Sequence, residues 1–205
     1  MSTGGRGGPT VAILGAGAGG IAMAIECQRA GVEFTIYESA DGFGGTWRHN
    51  TYPGAACDVP SHLYSFSFAP NPNWTRTYAT QPEILAYLED VATRYRLGEH
   101  LRAETTISRA SWDAEHQQWR LTSAAGDEFA ADVVVSGLGM LNVPFIPAIP
   151  GADRFRGRRF HSARGEHSTP IAGENVASIG TGASAIQYVP RVGREAASLT
   201  VFQLS

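Results

Sequence analysis

Lysine is missing from this 205-residue chain, and all sixteen basic side chains are arginine. That absence carries no functional reading. The scarcity of cysteine does: Cys27 and Cys57 are the only two. They are too few for a disulfide framework and form no Cys-x-x-Cys pair, which points to a reducing, cytoplasmic setting. Neither sign of charge dominates. Sixteen cations against nineteen Asp and Glu leave a net charge of −3, which excludes a general attraction to nucleic acid or to an anionic membrane. No apolar run approaches the roughly 20 residues that span a bilayer, and no signal-like segment precedes the first strand pattern. The six histidines show no metal-ligand spacing, so no metal is expected.

What is present is a globular balance, 43% apolar and 17% charged, which excludes a disordered chain. Glycine is abundant, with 24 in 205 residues against a usual ~7%. Residues 1–9 contain nothing to bury and read as a disordered tail. Val11-Ala-Ile-Leu14 is a short apolar run of the kind that forms a strand buried on both faces. A glycine turn follows, then a helix that Gly31 stops, then a second strand, Phe34–Tyr37, ending at Glu38.

Residues 39–80 have no sustained period and read as a long functional loop. Thr80-Gln-Pro-Glu83 has the spacing of a capping box, and Ile84, Leu85, Tyr87, Leu88, Val91 and Tyr95 continue at helical intervals. The stretches 104–112, 117–123 and 128–131 alternate like antiparallel strands, and Val133–Val135 is another buried strand. Pro144, Pro147 and Pro150 mark a linker. Asn175–Ile179, a second glycine turn, a helix to about Val192 and a strand Leu199–Phe202 then repeat the opening unit.

Gly15-x-Gly17-x-x-Gly20 is a dinucleotide fingerprint. Its glycines supply the tight turn, the close approach of pyrophosphate to backbone, and the packing of helix on strand. The helix N-terminus then offers N–H groups to the phosphates. Glu38 stands where a carboxylate accepts hydrogen bonds from ribose hydroxyls, and its charge opposes a 2′-phosphate. The first site therefore suits FAD or NAD. Gly180-x-Gly182-x-x-Ala185 is the second turn. Two such turns in one chain suggest a flavin at the first and a nicotinamide dinucleotide at the second, with hydride passing between them.

The segment Gly44-Gly-Thr-Trp-Arg-His-Asn-Thr-Tyr-Pro-Gly-Ala-Ala-Cys-Asp58 fits, at every fixed position, the Gly-Gly-x-Trp-x4-Tyr-Pro-Gly-x3-Asp signature of Baeyer–Villiger monooxygenases. The chain resembles that class of flavin-dependent monooxygenases along nearly its whole length. Gly180-Thr-Gly-Ala-Ser-Ala-Ile-Gln187 looks like their NADPH-binding turn. Val133–Gly151 looks like the connection between their domains, and Phe155-x-Gly157-x3-His161 like the start of a further signature.

The resemblance implies an α/β fold. Its parts would be a doubly wound, Rossmann-type FAD-binding domain with an antiparallel β-meander insertion, and a truncated second Rossmann-type NAD(P)-binding unit. The implied divisions are residues 1–9 as tail, 10–141 as the N-terminal part of the FAD domain, 142–172 as linker, and 173–205 as the incomplete start of the NAD(P)H domain. The implied reaction uses NADPH and O₂ to convert a ketone to an ester or lactone by way of a flavin C4a-peroxide.

Carried over residue by residue, Gly15, Gly17, Gly20 and Glu38 hold the ADP part of FAD, and Ile107 meets its adenine end through the backbone. Gly45, Thr46, Trp47, Asp58 and Tyr64 lie along the flavin, with Asp58 as the catalytic carboxylate that pairs with an arginine. Gly180, Thr181, Gly182, Ala183, Ser184 and Gln187 bind NADPH. Trp47 and Tyr64 also suit plain core aromatics, and Asp58 also suits a turn cap. Cys57 reads as a small packed residue, and His161 as a linker or surface histidine.

Three departures qualify the match. Gly165-Glu166 interrupts the second signature, and Leu204 stands where the family has an arginine for the 2′-phosphate. The arginines between Arg154 and Arg164 could replace it or simply be solvated. The chain is also less than half the family's usual length, so the catalytic arginine is expected from outside it. The readings left open are an N-terminal portion not competent alone, a non-catalytic FAD- or partner-binding flavoprotein, and a related amine or sulfide oxygenase. A small-molecule ketone and O₂ are the expected partners, with self-association or a complementing C-terminal half to cover an exposed sheet edge.

Overall fold

The computed structural model describes residues 8–165 and 170–203, so most of the expected tail, Glu166 and Leu204 lie outside the described residues. The fold is mixed α/β. In chain order its regular elements are β1 (Thr10–Leu14), α1 (Ala18–Ala30), β2 (Glu33–Tyr37), α2 (Thr46–His49), α3 (Gln81–Arg94), β3 (Leu101–Arg102), β4 (Ile107–Asp113), β5 (Gln118–Ser123), β6 (Glu128–Ala131), β7 (Val133–Ser136), β8 (Asn175–Ile179), α4 (Ala183–Glu195) and β9 (Ser198–Phe202). They fall into two compact units. The first comprises the described residues through Thr46 with Leu85–Asn142, the second Trp47–Ile84 with those from Val143 on.

The first unit is built on a four-stranded sheet in the order β3-β2-β1-β7, with every pairing parallel. β1 is central, which explains its unbroken apolar run: Val11, Ala12, Ile13 and Leu14 are all buried. α1 buries Ile21, Ala24, Ile25 and Cys27 and ends on Gly31, whose φ of 65° is the left-handed cap conformation. Fully burying side chains such as Ile13, Ile21, Ile25 and Ile36 stabilises the unit by about 1.5–3 kcal/mol each. The Gln28 side chain donates to Tyr95 O at 3.0 Å, joining α1 to the end of α3. Phe34 stacks on His100 at 4.3 Å.

A separate three-stranded antiparallel sheet, β4-β5-β6, occupies the expected place. Its first strand begins three residues late, because Glu104 takes a positive φ of 52°. Its N–H there donates to Ala40 O, and the Thr105 N–H donates to Glu38 O. Leu121 and Ala131 join Ala12, Leu14 and Tyr37 in one buried cluster. The β4–β5 turn is held by Asp113, which accepts from Arg120 Nε at 2.6 Å and His116 Nδ1 at 3.0 Å. Those partners hold its carboxyl well below the usual carboxylate range.

In the second unit β8 and β9 pair in parallel through five matched residues. α4 connects them and runs through Pro190 to Glu195. Short 3₁₀ turns at Ser61–Leu63, Ala152–Arg154 and Ser162–Arg164 are the only other helical pieces among the described residues of this unit beyond α2 and the start of α3. No helix among the described residues is long and apolar enough to cross a membrane.

Candidate functional site

The first glycine turn leaves β1 at Gly15, whose φ of 103° favours a residue without a side chain. Gly15 N–H donates to Tyr37 O at 2.8 Å, and Gly137 N–H to Leu14 O at 2.8 Å. A Cβ on Gly15 would lie 2.6 Å from Gly137 O, and one on Gly20 would lie 1.9 Å from Gly15 O. Gly17 is the N-cap of α1, which has no side-chain cap hydrogen bond and no acidic residue in its first turn. Ala18 and Gly19 are exposed there, and the helix supplies no anion of its own to the first-turn N–H groups.

Glu38 is buried beside this turn, at 6% exposure. One carboxylate oxygen accepts from Ala16 N–H at 2.6 Å, and the other from Ala40 N–H at 2.8 Å and the Ser39 hydroxyl at 3.0 Å. A carboxylate offers roughly four lone-pair sites, so capacity remains for one further donor such as a ribose hydroxyl. The glycine-lined helix start and this acceptor fit the ADP part of a dinucleotide. Gly45 belongs to the same turn: it has a φ of 53°, and a Cβ on it would lie 2.8 Å from Gly17 Cα. Gly44 N–H donates to Ala16 O at 3.0 Å. Ile107 is half-buried at the start of β4, packed against the Ala12–Leu14–Tyr37 cluster and paired with Ser123 of β5.

The second glycine turn repeats the dihedral angles of the first. Gly180 has φ 101° against 103° for Gly15, and the helix-starting Gly182 has φ −71°, ψ −176° against −77°, −170° for Gly17. Gly180 N–H donates to Phe202 O at 2.7 Å. Thr181, Gly182 and Ala183 are exposed and Ser184 is half-buried. α4 likewise has no side-chain cap and no acidic residue in its first turn. Gln187 is placed otherwise: its side-chain amide is bonded to residues 52 and 56.

The loop 47–80 owes its order to side chains bonding backbone. Trp47 Nε1 donates to Tyr64 Oη at 3.0 Å, with the two rings edge-on at 5.5 Å and 89°. Gln81, buried at the start of α3, donates to Trp47 O. Ser61, 2% exposed, lies within 2.8–2.9 Å of Arg76 O and Thr77 O and accepts from Ala79 N–H at 2.8 Å. Sequence reasoning missed Ser61 and Gln81. A buried serine inside a polar loop leaves no pattern, while Gln81 sat within a capping box that already explained it. Glu83 of that box faces Thr75 with both oxygens.

Thr46 and Asp58 are exposed. Cys57, beside Asp58, is buried and donates its N–H to Ala79 O and its thiol to Val59 O, each at 3.0 Å. His161 accepts Ala163 N–H on Nδ1 at 3.1 Å, and Arg158, Arg159 and Arg164 bond nearby carbonyls.

Burial pushes the Tyr64 phenol above its usual range; the Trp47 hydrogen bond opposes this, and Cys57 and Asp58 reinforce it. The folded chain thus holds this proton more tightly than the unfolded one. Its contribution to stability is complete below about pH 10 and fades as pH rises through the folded value. Tyr37 is raised by burial as well. An ultraviolet titration should therefore show late-ionising phenols above the ordinary tyrosine range, with Tyr64→Phe removing one. An unchanged titration in that variant would contradict the assignment.

The family model for flavin-binding monooxygenase-like proteins matches residues 8–203. The chain belongs to that family. This flavin-binding monooxygenase-like chain is 52% identical over 194 residues to a Baeyer–Villiger monooxygenase of Streptomyces coelicolor, covering 94% of itself and 37% of that protein. Among solved structures it is similar to an oxidised steroid monooxygenase bound to NADP, with 42% identity, a TM-score of 0.86, and coverage of 95% of this chain and 38% of that one. It is also similar to OTEMO in complex with FAD and NADP, with 30% identity, a TM-score of 0.90, and coverage of 97% and 39%. Its mixed α/β fold matches theirs, and it spans little more than a third of the length of these relatives.

Proposed function

We propose that these residues are the N-terminal portion of a Baeyer–Villiger-type monooxygenase that uses FAD, NADPH and O₂ to convert a ketone to an ester or lactone. The observation that carries this reading is the pair of glycine turns with matching dihedrals, the first with the buried Glu38 carboxylate beside it. A carboxylate there suits a ribose with a free 2′-hydroxyl and repels a 2′-phosphate, which assigns FAD to the first turn and NADPH to the second. In this reading residues 10–141 belong to a doubly wound, Rossmann-type FAD domain with β4–β6 as a β-meander insertion. Residues 142–172 connect it to a second, incomplete Rossmann-type unit that starts at 173.

The bound flavin supplies the redox and oxygen chemistry. The chain's own residues supply placement. The first-turn amides after Gly17 take the FAD pyrophosphate, and Glu38 takes a ribose hydroxyl. Ile107 meets the adenine end through its backbone. Gly45, Thr46, Trp47 and Tyr64 lie along the flavin, where the Trp47–Tyr64 hydrogen bond fixes both rings and Tyr64 keeps its proton on Oη. Gly180, Thr181, Gly182, Ala183 and Ser184 present the second phosphate site. Asp58, exposed, is the carboxylate that an arginine from the remainder of the protein would neutralise, and that arginine would supply the main electrostatic stabilisation of oxygen-centred charge.

Val143, Phe145 and Ile146 of the second unit are 85%, 81% and 70% exposed. Such side chains suit coverage by a second copy or by the C-terminal remainder, in a cytoplasmic protein. The deciding experiment is incubation of the purified chain with FAD, desalting, and a visible spectrum. A retained flavin band is expected, with ketone oxygenation appearing only once the C-terminal remainder is supplied. A colourless chain would overturn the assignment of FAD to the first turn. Retained flavin without oxygenation after complementation would favour a non-catalytic flavoprotein.

A further inference from the structure

Gln187 sits one helical turn beyond Ala183, in the segment that resembles a nucleotide-binding turn, yet its side chain is spent elsewhere. Its Oε1 accepts from Tyr52 Oη at 2.9 Å and from Ala56 N–H at 3.4 Å, and its Nε2 donates to Ala56 O at 2.8 Å. The amide cannot be turned over. Ala56 N–H only donates and Ala56 O only accepts, so oxygen and nitrogen each have one allowed position. Three of its four hydrogen-bonding sites are thereby committed to one loop.

The backbones of loop and helix are fitted as well. Gly54 has a φ of 85°, and a Cβ on it would lie 2.8 Å from Gln187 O, so a side chain there would push the loop off the helix. The Tyr52 ring meets Tyr188 edge-on at 6.1 Å, and Tyr188 Oη is 2.8 Å from Ser178 Oγ on β8. The Tyr52-Pro53-Gly54 of the loop signature and the Gln187 of the second glycine turn are therefore two halves of one clasp. Asp58 follows Ala56 by two residues, with the intervening Cys57 buried and its N–H held by Ala79 O.

We infer that Gln187 is a positioning residue: it fastens the segment carrying Asp58 to α4 and does not itself contact the dinucleotide. This rests on the assignment of a nicotinamide dinucleotide to the second turn. It adds that phosphate binding at the start of α4 is felt at the Asp58 segment through this side chain. Binding linkage then makes the coupling reciprocal.

The test is hydrogen exchange on the full chain, with and without NADP⁺, in wild type, Gln187→Ala, Tyr52→Phe and the double variant. Without nucleotide, Gln187→Ala should speed exchange of the amides at 54–58 by tenfold or more while β8 and β9 stay unchanged. Tyr52→Phe should do so less, and the double variant no more than Gln187→Ala alone. NADP⁺ should slow exchange over 54–58 in wild type and not in Gln187→Ala. Unaltered exchange over 54–58 in Gln187→Ala overturns the clasp. So does a tenfold loss of NADP⁺ affinity in that variant with the loop unmoved, which would make Gln187 a direct ligand. Failure of the dinucleotide assignment looks different: NADP⁺ then changes nothing over 180–187 in wild type, while the nucleotide-free comparison still judges the clasp.

Discussion

Gly20→Ala should collapse the first glycine turn, whereas the same change at Gly19 should be silent. The added Cβ at position 20 would lie 1.9 Å from Gly15 O and 3.0 Å from Gly15 C, both backbone atoms. Neither side can yield cheaply. Gly15 is tied to β2 through Tyr37 O, and α1 is anchored by the fully buried Ile21, Ala24 and Ile25. Ordinary overpacking costs about 1–3 kcal/mol, and a backbone-on-backbone clash at a buried junction belongs at or above the top of that range. At Gly19 an added Cβ meets nothing within 4 Å, and alanine is the better helix former by about 1 kcal/mol or less. Urea titration of the two variants, with FAD retention measured in parallel, checks the contrast. Loss of the flavin band in Gly20→Ala but not Gly19→Ala is the expected result. Equal behaviour would mean that Gly20 does not lie against the Gly15 carbonyl.

That contrast also marks how far sequence reaches. The opening β1–α1–β2 unit was legible because each part has a local cause: a run buried on both faces, a left-handed stop at Gly31, a carboxylate ending the second strand. β8 was legible to the residue, Asn175–Ile179, for the same reason. β3 was not, since Leu101-Arg102 is too short to carry a period and exists as a strand only by pairing with Ile36 and Tyr37. The loop 39–80 was recognisable by its signature, but its order comes from Ser61 and Gln81 bonding distant backbone and from Trp47 bonding Tyr64, which produces no repeat. Gln187 shows the remaining limit. A motif locates a residue on the chain and leaves its direction to tertiary contacts, and here the amide is turned toward residues 52 and 56.

Glu38→Gln separates two roles that the fingerprint merges into one. In the fold the carboxylate is already a staple. It receives Ala16 N–H on one oxygen and Ala40 N–H with the Ser39 hydroxyl on the other. Glutamine has a single acceptor oxygen, so either the buried Ala16 N–H or the partly buried Ala40 N–H must face an NH₂. Leaving a buried donor unmatched costs about 1–3 kcal/mol, and that loss should appear in a urea titration with no nucleotide present. A second loss should follow for FAD. The oxygen retained by glutamine is claimed by the backbone, leaving the ribose hydroxyl no charged acceptor, and a charge-assisted hydrogen bond of about 1.5–3 kcal/mol corresponds to roughly a 10–100-fold rise in Kd. Fluorescence titration of FAD, run where both proteins are fully folded, isolates this second effect. Loss of stability with unchanged FAD affinity would leave Glu38 as a staple of the glycine turn and remove it from the ribose.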